Sequence, residues 1–294
     1  MKLVTYVYEG MEAVGAVTPD MTAVAALPAL GVPCREMTEA IRYLGEDGRF
    51  AALRERWEAG CPGAETVPLD AVRLLAPIPR PARDVICLGL NYDAHAREFT
   101  RDDPASRPRH AAYFSKRAAW SPGPDADIDG HLELVEDLDY EVELGVILGR
   151  DAVNVRREDA AGYVFGYTVF NDLSARTMQK AHQQWFRGKS LDGFAPMGPW
   201  IVTADEIPFP PALDLTSRVN GQTRQRGNTR DMIFGVGEIL AELSRGMTLE
   251  AGTILATGTP AGVAMGMDRP RFLQAGDVVE CEIQRIGILR NIIR

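Results

Sequence analysis

The segment 138–148, with sequence LDYEVELGVIL, constrains the fold more than any other part of the chain. Side chains of a β-strand alternate between the two faces of its sheet. Written as a strand, the segment carries an unbroken apolar row on one face, which comprises Val142, Leu144, Val146 and Leu148. That row predicts a strand with a buried face, in a fold whose core is built on a sheet.

The other face of the same strand carries two carboxylates, Glu141 and Glu143, followed by Gly145 and Ile147. Like charges at i and i+2 repel each other unless water or a cation lies between them. A divalent cation that takes oxygen ligands would remove the conflict. The alternative is a solvated acidic strand end, because carboxylates are mostly exposed.

Composition and charge narrow the classes of partner. The chain of 294 residues has a formal net charge of −9, which argues against a nucleic-acid groove or an anionic membrane surface as the main partner. Its four scattered cysteines, without a Cys-x-x-Cys pair, predict reduced thiols. There is no apolar run of 18 residues, and Glu9 and Glu12 interrupt the N-terminal apolar stretch. We therefore expect a cytoplasmic protein without a membrane helix or a signal peptide.

Residues 1–75 are predicted to form a small N-terminal α+β domain. A strand and hairpin pattern covers residues 3–17, and a helical pattern covers residues 37–57, divided by Gly45 and Gly48. Residues 73–81 contain three prolines and predict an extended connector. The catalytic domain is then predicted to span residues 76–294.

A candidate general base follows the predicted strand 85–89. His95 and Glu98 are spaced i, i+3, so that they are neighbours on a helical turn, and a carboxylate beside an imidazole fixes its tautomer and raises its basicity. A surface ion pair is the alternative interpretation. The polar, proline-bearing segment 100–108 that follows has the composition of a loop that could close over a site.

A second polar constellation begins at the end of the predicted strand 167–172. Asp172, Arg176 and Gln179 have the spacing i, i+4, i+7, which predicts one helix face bearing a carboxylate, a guanidinium and an amide. An aspartate N-cap followed by an exposed helix is the alternative.

Six motifs in register resemble those of the fumarylacetoacetate hydrolase family, over about residues 70–294. In chain order they are GLNY-x-x-His95-x-x-Glu98, Glu141-x-Glu143-Leu144, Asn171-Asp172-x-Ser-x-Arg176-x-x-Gln179, Gly188-Lys189-Ser-x-Asp192, Asn220-Gly221 with Asn228-Thr229-x-x-Met232, and Gly258-Thr259-Pro-x-Gly-Val263. The resemblance implies an α+β, mostly β fold, which is a mixed β-sandwich roll with peripheral helices. It also implies a homodimer.

The resemblance further implies a role for each motif residue. Mg²⁺ or Mn²⁺ would be held by Glu141, Glu143 and Asp172, a hard oxygen set that suits these ions better than zinc. Lys189 would lie beside the metal, and His95 with Glu98 would be the base on a lid. The residues implied around the carboxylate of a 2-oxo acid are Arg176, Gln179 and Thr259, and Lys116 matches a lysine that several family members place in the same substrate pocket.

The function expected on this basis is metal-dependent hydrolysis of the C–C bond of 2,4-dioxo acids of the acylpyruvate type, with oxaloacetate decarboxylation as an additional activity. Water activated by His95 would attack the distal carbonyl, Lys189 would stabilise the developing oxyanion, and the 2-oxo acid would leave as its enolate. Arg117 and Thr177 depart from the family pattern and leave the substrate tail open.

Two alternatives remain at this point. The first is an isomerase or decarboxylase of unsaturated 2-oxo dicarboxylates from aromatic catabolism, similar to 2-hydroxyhepta-2,4-diene-1,7-dioate isomerase. The second is a non-catalytic protein that binds a metal or an oxo acid. His95, Glu98 and Lys189 argue against the second alternative, because a binding protein would need none of them.

Overall fold

The computed structural model describes residues 1–100 and 108–294, apart from the side chains of residues 99 and 100. Most of the predicted loop 100–108 therefore lies outside the described residues. The strands are β1 (Lys2–Tyr8), β2 (Met11–Val17), β3 (Ala23–Ala26), β4 (Thr66–Pro68), β5 (Arg73–Leu74), β6 (Val85–Gly89), β7 (Ala112–Lys116), β8 (Asp127–Ile128), β9 (Leu138–Asp139), β10 (Val142–Leu148), β11 (Val164–Asn171), β12 (Ser174–Ala175), β13 (Met197–Thr203), β14 (Asp214–Val219), β15 (Gln222–Asn228), β16 (Ile254–Ala256), β17 (Val278–Ile283) and β18 (Gly287–Ile293). The α-helices are α1 (Met37–Leu44), α2 (Arg49–Glu58), α3 (Asp93–Thr100), α4 (Arg176–Ala181), α5 (Phe186–Lys189) and α6 (Val236–Leu243).

Two large sheets organise these elements. An 11-stranded sheet runs in the order β4-β3-β2-β1-β13-β11-β10-β16-β6-β7, with β5 pairing with β1. A 5-stranded sheet has the order β15-β14-β17-β18-β8, and β9 pairs with β12 in a short ladder. Most pairs are antiparallel, and the helices lie outside the sheets. The prediction of an α+β, mostly β fold is confirmed. Within the described ranges no helix is long and apolar enough to cross a membrane.

Strand β10 lies in the centre of the large sheet and is buried on both faces. The predicted apolar row is fully buried in the core that also holds Leu215 and Cys281 of the smaller sheet. On the opposite face Ile147 enters a second core, which contains Phe170 and Ile201. The row was predicted to be buried, and the structure places the acidic face in the interior as well.

The predicted continuous strand 138–148 is interrupted. Strand β9 ends at Asp139 and β10 begins at Val142, because the backbone between them bonds to side chains. The Glu141 N–H donates to Asn171 Oδ1 at 3.0 Å, and the Val142 N–H donates to Gln225 Oε1 at 3.0 Å. This break brings the carboxylates to the end of the sheet.

The N-terminal strands continue the large sheet. Leu3 of β1 pairs with Ile201 of β13, and the core on that side joins Leu3 and Ile41 with Ile147. The predicted helical segment is divided into α1 and α2 as expected. A Cβ on Gly45 would lie 1.9 Å from the Gly149 carbonyl oxygen, so a glycine is required there. The domain division at residue 75 stays a prediction.

The helix predicted to start at Asp172 begins later. Asp172 lies outside it, since Ser174 and Ala175 pair as β12 with β9 before α4 starts at Arg176. The expectation that Asp172 shares a helix face with Arg176 and Gln179 is therefore wrong. The three residues still converge, because the short ladder folds the chain back towards β10.

Candidate active site

Three carboxylates meet where β10 begins and β11 ends. Val142 of β10 pairs with Asn171 of β11, so the neighbours of this pair, Glu141, Glu143 and Asp172, are brought together. One ligand atom from each lies within 4.8 Å of the others. The Asp172 N–H donates to the Glu141 carbonyl oxygen at 2.9 Å, which fixes the two residues relative to each other.

These carboxylates are buried, and their environments differ. Burial raises the pKa of Glu143 well above its usual value, and the charges of Asp172 and Glu141 add to the effect. Burial alone would also raise the pKa of Glu141, but Lys189 and Arg176 reverse the shift and hold that pKa well below its usual value. The fold therefore favours the ionised form of Glu141 and disfavours the ionised form of Glu143.

Two lysines contact the cluster directly. Lys189 Nζ lies 2.9 Å from Glu141 Oε2 and 2.8 Å from Asp172 Oδ2, and these carboxylates raise the pKa of Lys189 even though burial lowers it. Lys116 Nζ lies 2.7 Å from Asp172 Oδ1 and donates to the carbonyl oxygens of Leu173 and Phe194. Both ammonium groups are thus built into the carboxylate cluster.

Arg176 binds the other side of Glu141. Its Nη1 lies 2.7 Å from Glu141 Oε1 and 3.1 Å from Gln179 Oε1, and its Nε donates to Asp139 Oδ2 at 2.9 Å. Arg176 is 1% exposed and Lys116 is fully buried, so both predicted substrate-binding cations are directed at carboxylates in the interior.

The donor set fits a divalent cation. Two ligands of one ion lie at most about 4.2 Å apart for Mg²⁺ and about 5 Å apart for Ca²⁺. The observed spacing of up to 4.8 Å needs only a small movement to reach the smaller value. The all-oxygen set suits Mg²⁺ or Mn²⁺, and a bound cation would favour the ionised form of Glu143, which burial disfavours.

His95 and Glu98 form a dyad on α3. His95 Nδ1 lies 2.9 Å from Glu98 Oε2, and Glu98 Oε1 accepts the Gly262 N–H at 2.7 Å. His95 is 3% exposed. The dyad is therefore held by the loop after β16 and does not form the exposed surface pair that was the alternative interpretation.

His95 of the dyad shares one small pocket with two of the three carboxylates, Glu141 and Glu143. Six of the predicted site residues line it, which are His95, Glu141, Glu143, Gln179, Lys189 and Thr259. Gly89, Phe114 and Trp185 form its apolar wall. The free space is about 10 Å³, which is room for roughly one water molecule.

Several supporting residues escaped the sequence analysis. Asp139 Oδ1 accepts the Ala264 N–H at 2.8 Å while its Oδ2 accepts from Arg176. Gln225 donates to Thr259 Oγ1 at 2.7 Å, and the Gly258 N–H donates to Glu143 Oε2 at 2.8 Å. Asp139 could have been predicted, because it continues the period-two row of Glu141 and Glu143. Gln225 could not, because it lies in a hairpin distant in the sequence.

Comparisons with known proteins identify the family and the fold. The sequence pattern described as "Fumarylacetoacetate (FAA) hydrolase C-terminal" matches residues 84–294. Oxaloacetate tautomerase YisK of Bacillus subtilis (strain 168) is 46% identical over 223 residues, which are 76% of this chain and 73% of that protein.

Two solved structures extend the similarity to the whole chain. Fumarylacetoacetate hydrolase from Exiguobacterium antarcticum has a TM-score of 0.85 at 39% identity, covering 100% of this chain and 99% of the other. 2-Hydroxyhepta-2,4-diene-1,7-dioate isomerase from Mycobacterium marinum has a TM-score of 0.71 at 30% identity, covering 100% and 98%. These relatives carry the names of a tautomerase, a hydrolase and an isomerase.

Proposed function

The chain belongs to the fumarylacetoacetate hydrolase family, and from that premise we propose that it is a metal-dependent enzyme that interconverts the keto and enol forms of oxaloacetate. The single observation that carries the proposal is the shared pocket of His95 and the carboxylate cluster. Keto–enol exchange needs one base within reach of C3 and a site that stabilises negative charge at the 2-oxo group. We propose His95 as the base, and Lys189 together with a cation held by the carboxylates as the site that stabilises the charge.

The proposed metal ligands are Glu141, Glu143 and Asp172. When bound, Mg²⁺ or Mn²⁺ supplies Lewis-acid chemistry that makes the protons at C3 of a 2-oxo acid more acidic. Lys189 places a positive charge beside the same carboxylates, where it can also face an anionic substrate.

His95 moves the proton in this proposal. In the ketonisation direction the enol hydroxyl loses a proton and C3 gains one. A single base balances the reaction, because it accepts the first proton and donates the second. Glu98, whose Oε2 lies 2.9 Å from His95 Nδ1, orients the ring. Gln179 and Thr259 line the same pocket and are proposed to bind the substrate carboxylate.

Hydrolysis of acylpyruvates is the second candidate. The observation that favours it is that a base, His95, and an ammonium group, Lys189, line one pocket, as addition of water to a carbonyl requires. The isomerase of unsaturated 2-oxo dicarboxylates, the decarboxylase and the homodimer stay predictions.

The test follows the enol absorbance of oxaloacetate with Mn²⁺ and protein, with Mn²⁺ alone, and after chelation. The proposal expects keto–enol exchange to be faster with protein than with the ion alone, and to return to the protein-free rate with chelator. Equal rates with and without protein would refute it. Two reactions are measured in parallel. Loss of acetylpyruvate would indicate hydrolysis, and formation of pyruvate from oxaloacetate would indicate decarboxylation, as the activity in place of keto–enol exchange.

A further inference from the structure

The apolar wall of the pocket contains a contact that requires a glycine. A Cβ built on Gly89, at the end of β6, would lie 2.2 Å and 2.6 Å from two ring carbons of Trp185. These are the closest atoms to that position, and the third is also in Trp185. The indole therefore lies directly against the Gly89 backbone, in space that any larger residue would fill.

Phe114 and the helix that carries Lys189 hold the indole from other directions. The Phe114 and Trp185 rings meet edge to face with their centroids 5.3 Å apart. Trp185 immediately precedes α5, and its carbonyl oxygen accepts the Lys189 N–H at 3.2 Å. The indole is thus packed against Gly89 and Phe114 and lines the same pocket as Lys189.

Trp185 lines the same pocket as His95 and Lys189, so the position of its indole determines how far that pocket extends. We infer that Trp185 limits the size of the substrate, because its indole occupies the space that the distal end of a longer 2-oxo acid would need. Gly89 is the residue that lets the indole take this place. The class of substrate, a 2-oxo acid, rests on the proposed function. The new part of the inference is that the protein prefers short members of this class.

The main experiment measures Mn²⁺-dependent binding of straight-chain 2-oxo acids by calorimetry, from pyruvate to 2-oxooctanoate. In Trp185→Ala, the affinity for the longest acid relative to pyruvate is expected to rise at least roughly tenfold over the wild-type ratio, since one methylene in an apolar pocket changes recognition by about tenfold or more. Trp185→Phe is expected to give an intermediate ratio. Trp120→Phe, a change at a 45% exposed indole, is the matched control and should leave the ratio unchanged.

An unchanged ratio in variants that still bind pyruvate would overturn the inference. Loss of pyruvate binding in both Trp185 variants would overturn it as well, because the indole would then be needed for binding. A wild-type protein that binds no 2-oxo acid would instead refute the proposed function, so that the two failures are distinguishable.

A double-mutant cycle tests the contact itself without activity. Gly89 has no left-handed backbone angle, so Gly89→Ala acts through its Cβ alone. Overpacking of this kind should lower the Tm by roughly 2–10 °C in the wild-type background. In the Trp185→Ala background the same change should leave the Tm nearly unchanged. Equal shifts in both backgrounds would show that the indole does not fill the space above Gly89, and would overturn the inference.

Discussion

Asp139 and Arg176 form a fully buried pair in which the guanidinium Nε donates to Asp139 Oδ2 over 2.9 Å. The same carboxylate accepts backbone N–H groups from Ala264 and Met265. Because Arg176 also contacts Glu141, Asp139 joins the loop after β16 to the carboxylate cluster.

Asp139→Asn tests this connection. Loss of one charge from a buried pair is expected to destabilise the fold by about 3 kcal/mol, and loosening of the cluster should lower kcat/KM by roughly 10–100-fold. Chemical denaturation and steady-state kinetics measure the two effects. The control is Glu136→Gln, which removes one charge from an exposed residue nearby and should change neither the stability nor kcat/KM. Unchanged kinetics in Asp139→Asn would show that Arg176 holds its position without this partner.

Glu143→Gln should remove metal binding while leaving the fold intact. The amide mimics the protonated side chain that burial favours, and its oxygen can still accept the Gly258 N–H. We expect a free energy of unfolding within about 1 kcal/mol of wild type, and a loss of Mn²⁺ affinity and activity of at least roughly 100-fold. Calorimetric titration with Mn²⁺ measures the affinity. Retention of full metal-dependent activity would remove Glu143 from the ligand set.

Metal affinity should increase with pH. The pKa of Glu143 is raised in the fold, so the metal-free protein keeps a proton that the unfolded chain releases near its ordinary value of about 4.5. Metal-free stability should therefore decrease as pH rises from that value through the raised pKa. Mn²⁺ needs the ionised carboxylate, so its affinity should rise by up to about tenfold per pH unit in the same window.

Proton release provides the independent check on that window. Calorimetry in buffers of different ionisation enthalpy, at a series of pH values above the ordinary glutamate pKa of 4.5, should detect a proton leaving as Mn²⁺ binds, and Glu143→Gln should abolish the release. An affinity that does not vary with pH would contradict the assignment of the bound proton.

His95→Gln should lower kcat for keto–enol exchange by roughly 10²–10⁴-fold, the usual contribution of a positioned base. If acetylpyruvate is hydrolysed, that reaction should lose more than oxaloacetate decarboxylation, which requires no attacking water. His110→Gln, at an exposed histidine, is the control. Equal losses in hydrolysis and decarboxylation would count against a water-activating role.

Gly266→Ala should displace the Glu98 side chain while leaving both residues of the dyad, His95 and Glu98, unsubstituted. A Cβ at Gly266 would lie 2.6 Å from the Glu98 carboxyl carbon, whereas one at Gly162 would meet nothing within 4 Å. Kinetic titration over pH should show a loss of kcat of about tenfold in Gly266→Ala and none in Gly162→Ala, because a tilted imidazole is a poorer base. Identical profiles for the two variants would mean that the Glu98 side chain moves aside without affecting His95.

The sequence was informative where short-range spacing determines structure. The period-two row of β10 and the i, i+3 pair of His95 and Glu98 needed only local rules. The mostly β fold was predicted from the family motifs.

Features that depend on distant contacts could not be predicted. The break between β9 and β10 exists because Gln225, more than 80 positions along the chain, supplies an acceptor for Val142. The same holds for Asp172, whose separation from α4 depends on pairing between β9 and β12. Local periodicity carries no information on either partner.

The loop after β16 holds three carboxylates through backbone groups alone. Gly258 binds Glu143, Gly262 binds Glu98, and Ala264 with Met265 binds Asp139. Since the donors are peptide N–H groups, the side chains of the loop are not what aligns the base with the proposed metal ligands. For protein engineering this means that a substitution at the half-buried Met265 keeps the N–H that binds Asp139, unless the new residue is proline, whose missing N–H would release one anchor.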